Sequence, residues 1–376
     1  MKEKIEKFVS DRKFAKRVVR DWMGKMSYYI LPNGRSTYPS TIYLAINSIC
    51  NLRCKMCDVG QQNIMSQFYK NMMKFGNLPL KTVIKIIDDV KDLKPLIAIT
   101  STEPLLHPEI KEILDIVKKN GLECQLTTNG LLLQRVAEDI VKSGLDYLWV
   151  SLHGPRKTHD EITGIKGSFG RAIGGIKKVE YFKKKYGKNV PEININFVIS
   201  NLNCGYLTAF LKDLKKKNIK PHQITFSHMN FVTSETALEH NRRFGQIIAT
   251  TSSSVSVIDP RKMDLNVLGR EIEKVKRIKG FNILFVPNIS GKKLETYYKH
   301  PEEFVTPKRC MVFWKNAQIQ ANGDCIPNTR CFNIILGNIN KNSFKEIWKG
   351  EKYKRWRKIM KKYGAFPACS RCCGIF

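Results

Sequence analysis

The sequence lacks any long apolar run. No segment reaches the roughly 18 consecutive apolar residues that a membrane-spanning helix needs. The N-terminal segment, MKEKIEKFVSDRKFAKRVVRDWM, is charged throughout and has no apolar core of the kind found in secretory signal peptides. These two absences predict that no helix crosses a membrane and that the protein is cytoplasmic.

Acidic residues are scarce. The chain has 33 Asp and Glu against 65 Lys and Arg, which gives a formal net charge of +32. Such an excess suits nucleic acid, an anionic lipid surface or an acidic protein partner. The lysines are dispersed along the chain, so we favour the simpler interpretation that they solvate helix faces. Nucleic acid is the least favoured partner, because no basic motif interleaved with aromatic residues is present.

Short apolar segments alternate with amphipathic segments from residue 40 onward. The predicted strands cover residues 42–46, 96–100, 124–128, 148–152, 193–199 and 223–226. The predicted helices cover residues 80–93, 108–119, 132–143, 168–185 and 206–217. Six such units indicate a parallel α/β architecture, either a barrel or an open sheet. Ligands of parallel barrels bind at the C-terminal ends of the strands, so the loops after these strands are the expected site.

Three further regions flank the α/β region, which spans residues 39–230. Residues 1–38 are predicted to be an N-terminal helical extension packed on the main domain; the alternative is peripheral contact with a membrane surface. Its apolar residues at helical spacing are Ile5, Phe8, Val9, Ala15, Val18, Val19 and Trp22. Residues 231–305 are interpreted as a connector, and residues 306–376 as a small cysteine-rich α+β module.

Nine of the eleven cysteines fall in two groups, and clustered cysteines in a cytoplasmic protein indicate metal ligands rather than disulfides. The first group, Cys50, Cys54 and Cys57, directly follows the first predicted strand. Three thiolates on one loop can bind three irons of a cubic cluster and leave the fourth iron open for a chelating ligand. Zinc sites favour two-residue gaps and a fourth ligand, so this spacing favours an iron–sulfur cluster.

The segment around these cysteines resembles the C-x-x-x-C-x-x-C signature of the radical S-adenosylmethionine (SAM) superfamily. Four further segments match superfamily motifs in the expected order: residues 100–108 (TSTEPLLHP), 127–130 (TTNG), 150–154 (VSLHG) and 159–160 (HD). Each motif is weak alone, but five in order are a specific signal. The resemblance covers residues 40–230 and implies a partial (β/α)6 parallel barrel.

The resemblance also implies which residues contact SAM. Glu103 and the neighbouring backbone match the loop that holds the SAM amino group, although Ser101 and Thr102 stand where two glycines are usual. The expected SAM contacts are Met56, Thr102, Glu103, Asn129, Ser151 and Asn196. No catalytic acid or base follows from spacing; the candidates by position are His107, Tyr147, His153, His159, Ser227, His228, Met229 and Asn230.

The chemistry implied by the resemblance is radical formation. A reduced 4Fe–4S cluster gives one electron to SAM, which breaks into methionine and a 5′-deoxyadenosyl radical able to take hydrogen from an unactivated carbon. The reaction needs a low-potential electron donor such as flavodoxin or ferredoxin. These donors are usually acidic, so a basic patch near the cluster would help them dock.

The second group of cysteines comprises Cys310, Cys325, Cys331, Cys369, Cys372 and Cys373. Cys310 and Cys325 flank a predicted hairpin with an Asn-Gly turn, and Cys369 and Cys372 form a pair with a two-residue gap. The arrangement resembles the twitch and SPASM modules of radical SAM enzymes. It implies one auxiliary 4Fe–4S cluster on Cys310, Cys325, Cys369 and Cys372, with the other two cysteines spare or Cys373 replacing Cys372. A four-thiolate zinc site is the alternative.

Three functions fit these features. We favour a radical SAM enzyme acting on a small polar substrate, of sugar, cyclitol or nucleotide type, with the auxiliary cluster assisting oxidation or substrate binding. The runner-up is modification of a peptide or protein side chain. We rank it second because the roughly 40 residues before the first strand are too few for a leader-binding winged-helix domain. The third hypothesis assigns the protein to a different functional class: an iron–sulfur RNA-binding or electron-carrier protein without SAM chemistry.

Overall fold

The structure is a computed structural model that describes residues 12–73, 76–100, 102–327 and 330–375. Ile5, Phe8 and Val9 of the predicted N-terminal helix, and Ser101 of the predicted SAM loop, lie outside the described residues. The strands are β1 Thr41–Leu44, β2 Leu96–Ile99, β3 Glu123–Thr128, β4 Tyr147–Ser151, β5 Glu192–Ile199, β6 Gln223–His228, β7 Ile283–Val286, β8 Asn316–Ile319, β9 Asp324–Ile326 and β10 Gly337–Asn338. The helices are α1 Arg12–Ile30, α2 Gln67–Met72, α3 Leu80–Val90, α4 Ile110–Lys119, α5 Leu133–Ser143, α6 Arg156–Thr163, α7 Ser168–Lys185, α8 Leu207–Lys216, α9 Ser234–Phe244, α10 Leu265–Arg277, α11 Lys292–Lys299, α12 Val312–Lys315, α13 Phe344–Lys349 and α14 Glu351–Tyr363.

The strands of the described residues form one sheet in the order β10-β9-β8-β1-β2-β3-β4-β5-β6-β7. Strands β1 to β7 all pair in parallel with their neighbours, and helices connect them. The predicted α/β fold, six parallel strand–helix units followed by a small cysteine-rich module, is confirmed. The C-terminal ends of β1 to β6 therefore lie along one edge, where the predicted motifs follow them.

Two pairings extend the sheet beyond the six predicted units. β7 lies in the region interpreted as a connector, yet it pairs in parallel with β6. On the other side, β8 pairs in parallel with β1, so the cysteine-rich module continues the barrel sheet. Local sequence patterns do not reveal such pairings, because they join segments as much as 275 residues apart. The domain boundaries themselves stay predictions.

The hydrophobic patterns explain why these segments form these elements. In α3, the buried residues Val83, Ile86, Ile87 and Val90 follow the i, i+3, i+4, i+7 spacing of one helix face. Strand β2 is instead buried at all four positions, as expected for a central parallel strand covered on both sides. The core between sheet and helices thus holds the strand ends, and the loops after them, in fixed positions.

Helix α1 packs on the main body near its C-terminal end. The ring of Tyr28 meets that of Trp314 edge-on, with 4.8 Å between centroids, whereas Val18, Val19 and Trp22 are exposed. No helix of the described part is both long enough and apolar enough to cross a membrane. The cytoplasmic location and the peripheral membrane contact stay predictions.

Arg357 on α14 joins the C-terminal module to the rest of the chain. Its side chain is buried, with Nε donating to the Phe313 carbonyl (2.9 Å) and Nη1 donating to the carbonyls of Gly34 (3.2 Å) and Trp348 (3.1 Å). Burial lowers the pKa of the guanidinium to about 10, so it remains charged at neutral pH. One buried cation thereby satisfies carbonyls of three separate segments.

We predict that Arg357→Met destabilises the protein by about 2–4 kcal/mol, because several buried carbonyls lose their donors. The free energy of unfolding in urea would measure this effect. Arg355 is exposed on the same helix, and Arg355→Met should change the free energy by no more than about 0.5 kcal/mol. Equal effects of the two substitutions would contradict the anchoring role of Arg357.

Candidate active site and auxiliary metal site

The loops after the parallel strands enclose a cavity of about 460 Å³. Predicted site residues from several strands line it together, namely Cys50, Cys54, Met56, Cys57, Thr102, Asn129, Ser151 and Asn196. The structure thus brings every predicted cluster and SAM residue of the barrel to one cavity except Glu103, which lies behind its wall.

The loop that carries Cys50, Cys54 and Cys57 is held against the end of α6. The backbone N–H groups of Arg53 and Lys55 donate to carbonyls at the C-terminal end of that helix, both at 2.9 Å. Burial raises the pKa of the Cys50 thiol to about 11, and repulsion from Cys57 acts in the same direction. Because the thiolate is the metal-binding form, metal binding here must displace protons. Three thiols that influence one another on one cavity wall fit a cubic iron–sulfur cluster.

Glu103 ties the loop after β2 to the loop after β3. Its Oε1 accepts hydrogen bonds from Thr128 Oγ1 (2.7 Å) and Leu105 N (3.1 Å), and its Oε2 accepts one from Asn129 N (2.7 Å). Burial is the main cause that raises the pKa of this carboxyl to about 7, against the effect of these hydrogen bonds. The role expected from the family resemblance, holding the SAM amino group, stays a prediction.

Asp58, directly after Cys57, is an anchor that sequence reasoning missed. Its buried carboxylate accepts hydrogen bonds from Ser66 Oγ (2.8 Å), Ser253 Oγ (2.6 Å) and the backbone N–H of Ser254 (3.0 Å). The carboxylate therefore attaches the cysteine loop to a segment of the predicted connector. An acidic residue after the third cysteine is visible in the sequence, but partners 195 residues away are not.

The rest of the cavity wall comes from β6 and the C-terminal module, and includes Ser227, His228, Asn230, Arg330 and Cys373. His228 Nδ1 lies 2.7 Å from the Tyr298 hydroxyl, whereas its buried Nε2 has no hydrogen-bond partner within the described ranges. Burial lowers the pKa of His228 to about 3, so the ring is neutral. His228 was a candidate by position; no sequence signal pointed to Arg330.

The other candidates by position divide into two groups. His153 lines the cavity, where its Nδ1 accepts from Val198 N at 3.3 Å. His107 and His159 instead accept hydrogen bonds from backbone N–H groups away from the cavity, and the Tyr147 hydroxyl faces Glu123. These three side chains are therefore structural in this arrangement.

A second, small pocket inside the C-terminal module is lined by four cysteines: Cys310, Cys331, Cys369 and Cys372. Burial raises the pKa of the Cys310 and Cys331 thiols to about 11. Four thiols from distant segments around one apolar pocket fit a four-thiolate metal site. Cys331 lines this pocket and Cys325, which the sequence pattern grouped with the other three, does not.

Cys325 is kept out of this pocket by its place in the sheet. It lies in β9, paired with Ile319 and Gly337, and its sulfur is 3.9 Å from the Tyr353 hydroxyl on α14. Successive side chains of a strand point to opposite faces, so a residue fixed in β9 has no freedom to turn. Which cysteines bind metal stays a prediction.

Arg371 fixes the loop that carries Cys369 and Cys372. Its buried guanidinium donates to the carbonyls of Thr296 (2.7 Å), Tyr297 (2.6 Å) and His300 (2.7 Å) at the C-terminal end of α11. The last carbonyls of a helix lack partners within the helix, and a cation suits that end. Arg371, which precedes Cys372, thus caps a helix and orients the cysteine pair.

Comparison with protein-family models gives two matches. Residues 44–187 match the radical SAM superfamily, and residues 310–373 match the SPASM iron–sulfur cluster-binding domain. The protein is therefore a radical SAM enzyme with a C-terminal SPASM domain, and its cofactors are SAM, a 4Fe–4S cluster and auxiliary iron–sulfur. It needs an electron donor and a substrate, as enzymes of this superfamily do.

Curated relatives share part of this sequence. The tungsten-containing aldehyde ferredoxin oxidoreductase cofactor-modifying protein of Pyrococcus furiosus is 24% identical over 348 residues, which cover 88% of this chain and 86% of that protein. The Fe-coproporphyrin III synthase of Methanosarcina barkeri is 27% identical over 209 residues, which cover 53% of this chain and 48% of that protein. The chain thus spans about half the length of this second relative.

Solved structures share the fold. The crystal structure of Streptococcus suis SuiB bound to precursor peptide SuiA superposes with a TM-score of 0.58 at 18% identity, and covers 96% of this chain and 75% of that one. The likeness confirms the radical SAM fold of the chain.

We predict that Cys331→Ala removes the metal of the auxiliary site and Cys325→Ala does not. If both sites hold 4Fe–4S clusters, the anaerobically reconstituted protein should bind about eight irons, which Cys331→Ala lowers to about four. The matched variant Cys325→Ala should keep the wild-type iron content. Loss of iron in Cys325→Ala but not in Cys331→Ala would favour the ligand set expected from the sequence. Zinc bound in place of four irons would favour a structural zinc site.

Gly60 allows the cysteine loop its close approach. A Cβ atom at this position would lie 2.6 Å from the backbone nitrogen of Cys54 and 2.9 Å from its carbonyl oxygen. We predict that Gly60→Ala shifts the loop and lowers iron at the first site. Gly170→Ala on α7 is the control, because no atom lies within 4 Å of its added Cβ. Equal iron contents for the two variants would refute this prediction.

Proposed function

We propose that this enzyme takes a hydrogen atom from a small polar substrate that carries an anionic group, bound in the 460 Å³ cavity against Arg330. The observation that carries the proposal is the charge of the cavity lining. Cys50, Cys54 and Cys57 line the cavity, and Arg330 is the one Lys, Arg, Asp or Glu side chain among its described lining residues.

The proposed cofactor sites follow the positions of the side chains. Cys50, Cys54 and Cys57 would hold three irons of the first cluster, while Thr102 and Asn129 would contact SAM together with Met56, Glu103, Ser151 and Asn196. When bound, the reduced cluster and SAM supply a 5′-deoxyadenosyl radical. Cys310, Cys331, Cys369 and Cys372 would hold the auxiliary cluster.

Arg330 is placed to bind an anion. Its Nη2 donates to Ser254 Oγ at 2.9 Å, and its guanidinium lies 4.2 Å from the centre of the Phe68 ring. No carboxylate forms a salt bridge with it in the described part of the chain. A guanidinium carries five donors, so free donors remain for a carboxylate or phosphate oxygen.

His228 offers a second polar group to the substrate. Its Nδ1 lies 2.7 Å from the Tyr298 hydroxyl, and which of the two groups donates depends on the tautomer of the imidazole. His228 lines the cavity, and its buried Nε2 has no hydrogen-bond partner among the described residues. An unpaired buried polar atom favours a ligand that forms a hydrogen bond with it.

The dimensions of the cavity and the relatives support a small substrate. A volume of about 460 Å³ lies in the range of sites for single small ligands and must also accommodate SAM. The two curated relatives are named for a cofactor and for Fe-coproporphyrin III, which are small molecules.

The second candidate is a peptide side chain, because the fold is shared with SuiB, whose structure is solved with a precursor peptide.

We further propose that the electron donor is an acidic flavodoxin or ferredoxin that docks at the cysteine loop. Arg53 and Lys55 are exposed on either side of Cys54. Exposed cations beside the buried cluster would attract an acidic surface and raise the association rate at low salt.

The proposal is tested with anaerobically reconstituted enzyme, SAM and dithionite, with 5′-deoxyadenosine as the readout. We expect wild-type enzyme to form 5′-deoxyadenosine, and to form more when the anionic small-molecule fraction of a cell extract is added. Arg330→Gln should lower that stimulation about tenfold or more, because a charge-assisted hydrogen bond is lost. Arg270→Gln, an exposed change on α10, should respond like wild type.

Other outcomes decide against the proposal. Wild-type enzyme that forms no 5′-deoxyadenosine would exclude SAM cleavage and favour an electron carrier. Stimulation confined to the peptide fraction would favour the second candidate. Stimulation by anions that persists in Arg330→Gln would remove Arg330 from the substrate site.

A further inference from the structure

We propose that the exposed face of helix α1 docks the enzyme on the surface of an anionic lipid membrane. The contact is peripheral, because the helix lies in the plane of the membrane interface and does not cross the bilayer. The surface is separate from the cavity, and the proposal does not depend on the proposed function.

The described side chains of α1 form an exposed apolar row along one side of the helix. We call this row the apolar stripe; it consists of Val18, Val19, Trp22, Met23, Tyr29 and Ile30. Trp22 is 58% exposed and Ile30 is 64% exposed. Single apolar residues scattered over a surface are ordinary, whereas a row of them at helical spacing marks an interaction site.

The main body of the protein covers the opposite side of α1. Gly24 follows Trp22 by two residues and is therefore about 200° further around the helix. It packs so closely that an added Cβ would lie 2.9 Å from Lys315 Cγ. On the same side, Ser27 Oγ lies 2.8 Å from Thr37 Oγ1. These contacts fix the rotation of the helix, and the stripe faces away from the protein.

Basic side chains border the stripe. Helix α1 contains six Lys and Arg against one Asp. The helical period places Lys16 along one edge of the stripe and Lys25 along the other, and both are exposed. The one acidic residue, Asp21, forms ion pairs with Lys25 (2.8 Å) and with Lys315, so these three charges stay positive in sum.

Arg309 extends the positive border to the end of the helix. It is exposed, donates a hydrogen bond to the Tyr29 hydroxyl, and holds its guanidinium 5.4 Å from the centre of the Tyr29 ring. An arginine beside an exposed tyrosine presents a cation at the level where lipid headgroups lie. The border of the stripe is thus basic along its length.

An anionic membrane fits this surface better than a second copy of the chain does. Trp and Tyr rings favour the membrane interface, where the ring meets hydrocarbon and its polar tip meets water. Lysine and arginine near that interface attract anionic headgroups. A second copy would instead bring two chains of formal charge +32 together along their basic borders.

Docking through the stripe leaves the cavity open. Arg20 of α1 donates to the carboxylate of Glu123 (3.4 Å), which is the first residue of β3. The cavity lies at the other ends of the strands, and no residue of the stripe lines it. An enzyme bound to the membrane through α1 therefore keeps its cavity accessible to substrate and electron donor.

The test measures cosedimentation of the anaerobically reconstituted enzyme with lipid vesicles. We expect binding to mixed phosphatidylglycerol–phosphatidylcholine vesicles, weaker binding at high salt, and little binding to phosphatidylcholine alone. Trp22→Glu should weaken binding about tenfold or more, because it places a negative charge in the buried face of the contact. Leu238→Glu, at a residue on α9 that is 70% exposed, is the matched control and should bind like wild type. Both variants should keep the wild-type iron content.

Tryptophan fluorescence gives a second readout of the same contact. Mixed vesicles with brominated acyl chains should quench part of the emission of wild-type enzyme. Trp22→Phe should still bind but lose most of this quenching, because Trp22 is exposed whereas Trp314 and Trp348 are buried. Unchanged quenching in Trp22→Phe would show that the stripe does not enter the membrane.

Three results of the sedimentation test would overturn the proposal. Equal binding by Trp22→Glu and Leu238→Glu would remove the stripe from the contact. Equal binding of wild-type enzyme to neutral and anionic vesicles would remove the role of the basic border. A wild-type dimer that binds no vesicles and that Trp22→Glu dissociates would show that a second copy covers the stripe.

Discussion

Strand β1 pairs in parallel with β2 on one side and with β8 on the other, and the site depends on this double pairing. Because parallel strands end at the same edge, the cysteine loop after β1 lies beside the loop after β2, which carries Thr102 and Glu103. On its other side lies the sheet of the C-terminal module, which supplies Arg330 and Cys373 to the cavity. Loops of the parallel strands and residues of the C-terminal module thereby enclose one cavity.

Buried charges hold these loops in place. Asp58 attaches the cysteine loop to residues 253–254, Arg357 joins three segments, and Arg371 caps α11 while it orients the terminal cysteine pair. A buried charge is stable only when hydrogen bonds replace the water it has lost, and each of these has several. They act over long sequence separations, so they fix the relative positions of elements that local structure leaves independent.

The cavity contrasts with these satisfied anchors. Arg330 has spare donors and His228 Nε2 has no partner among the described residues, although both line a space next to the cysteine loop. Protein interiors rarely leave polar groups unpaired, and the proposed anionic substrate would supply partners for them.

The sequence by itself determined the first cluster loop, the six strand–helix units and the order of the SAM motifs. These features depend on spacing within a few residues or on hydrophobic periodicity, both of which are local. The tertiary structure decided that Cys331 rather than Cys325 lines the four-cysteine pocket, that β7 and β8 extend the sheet, and that Arg330 lines the cavity. Long-range packing decides which face of β9 a side chain occupies. It also decides which segments, hundreds of residues away, pair with a strand or with a buried charge, and local sequence patterns do not contain this information.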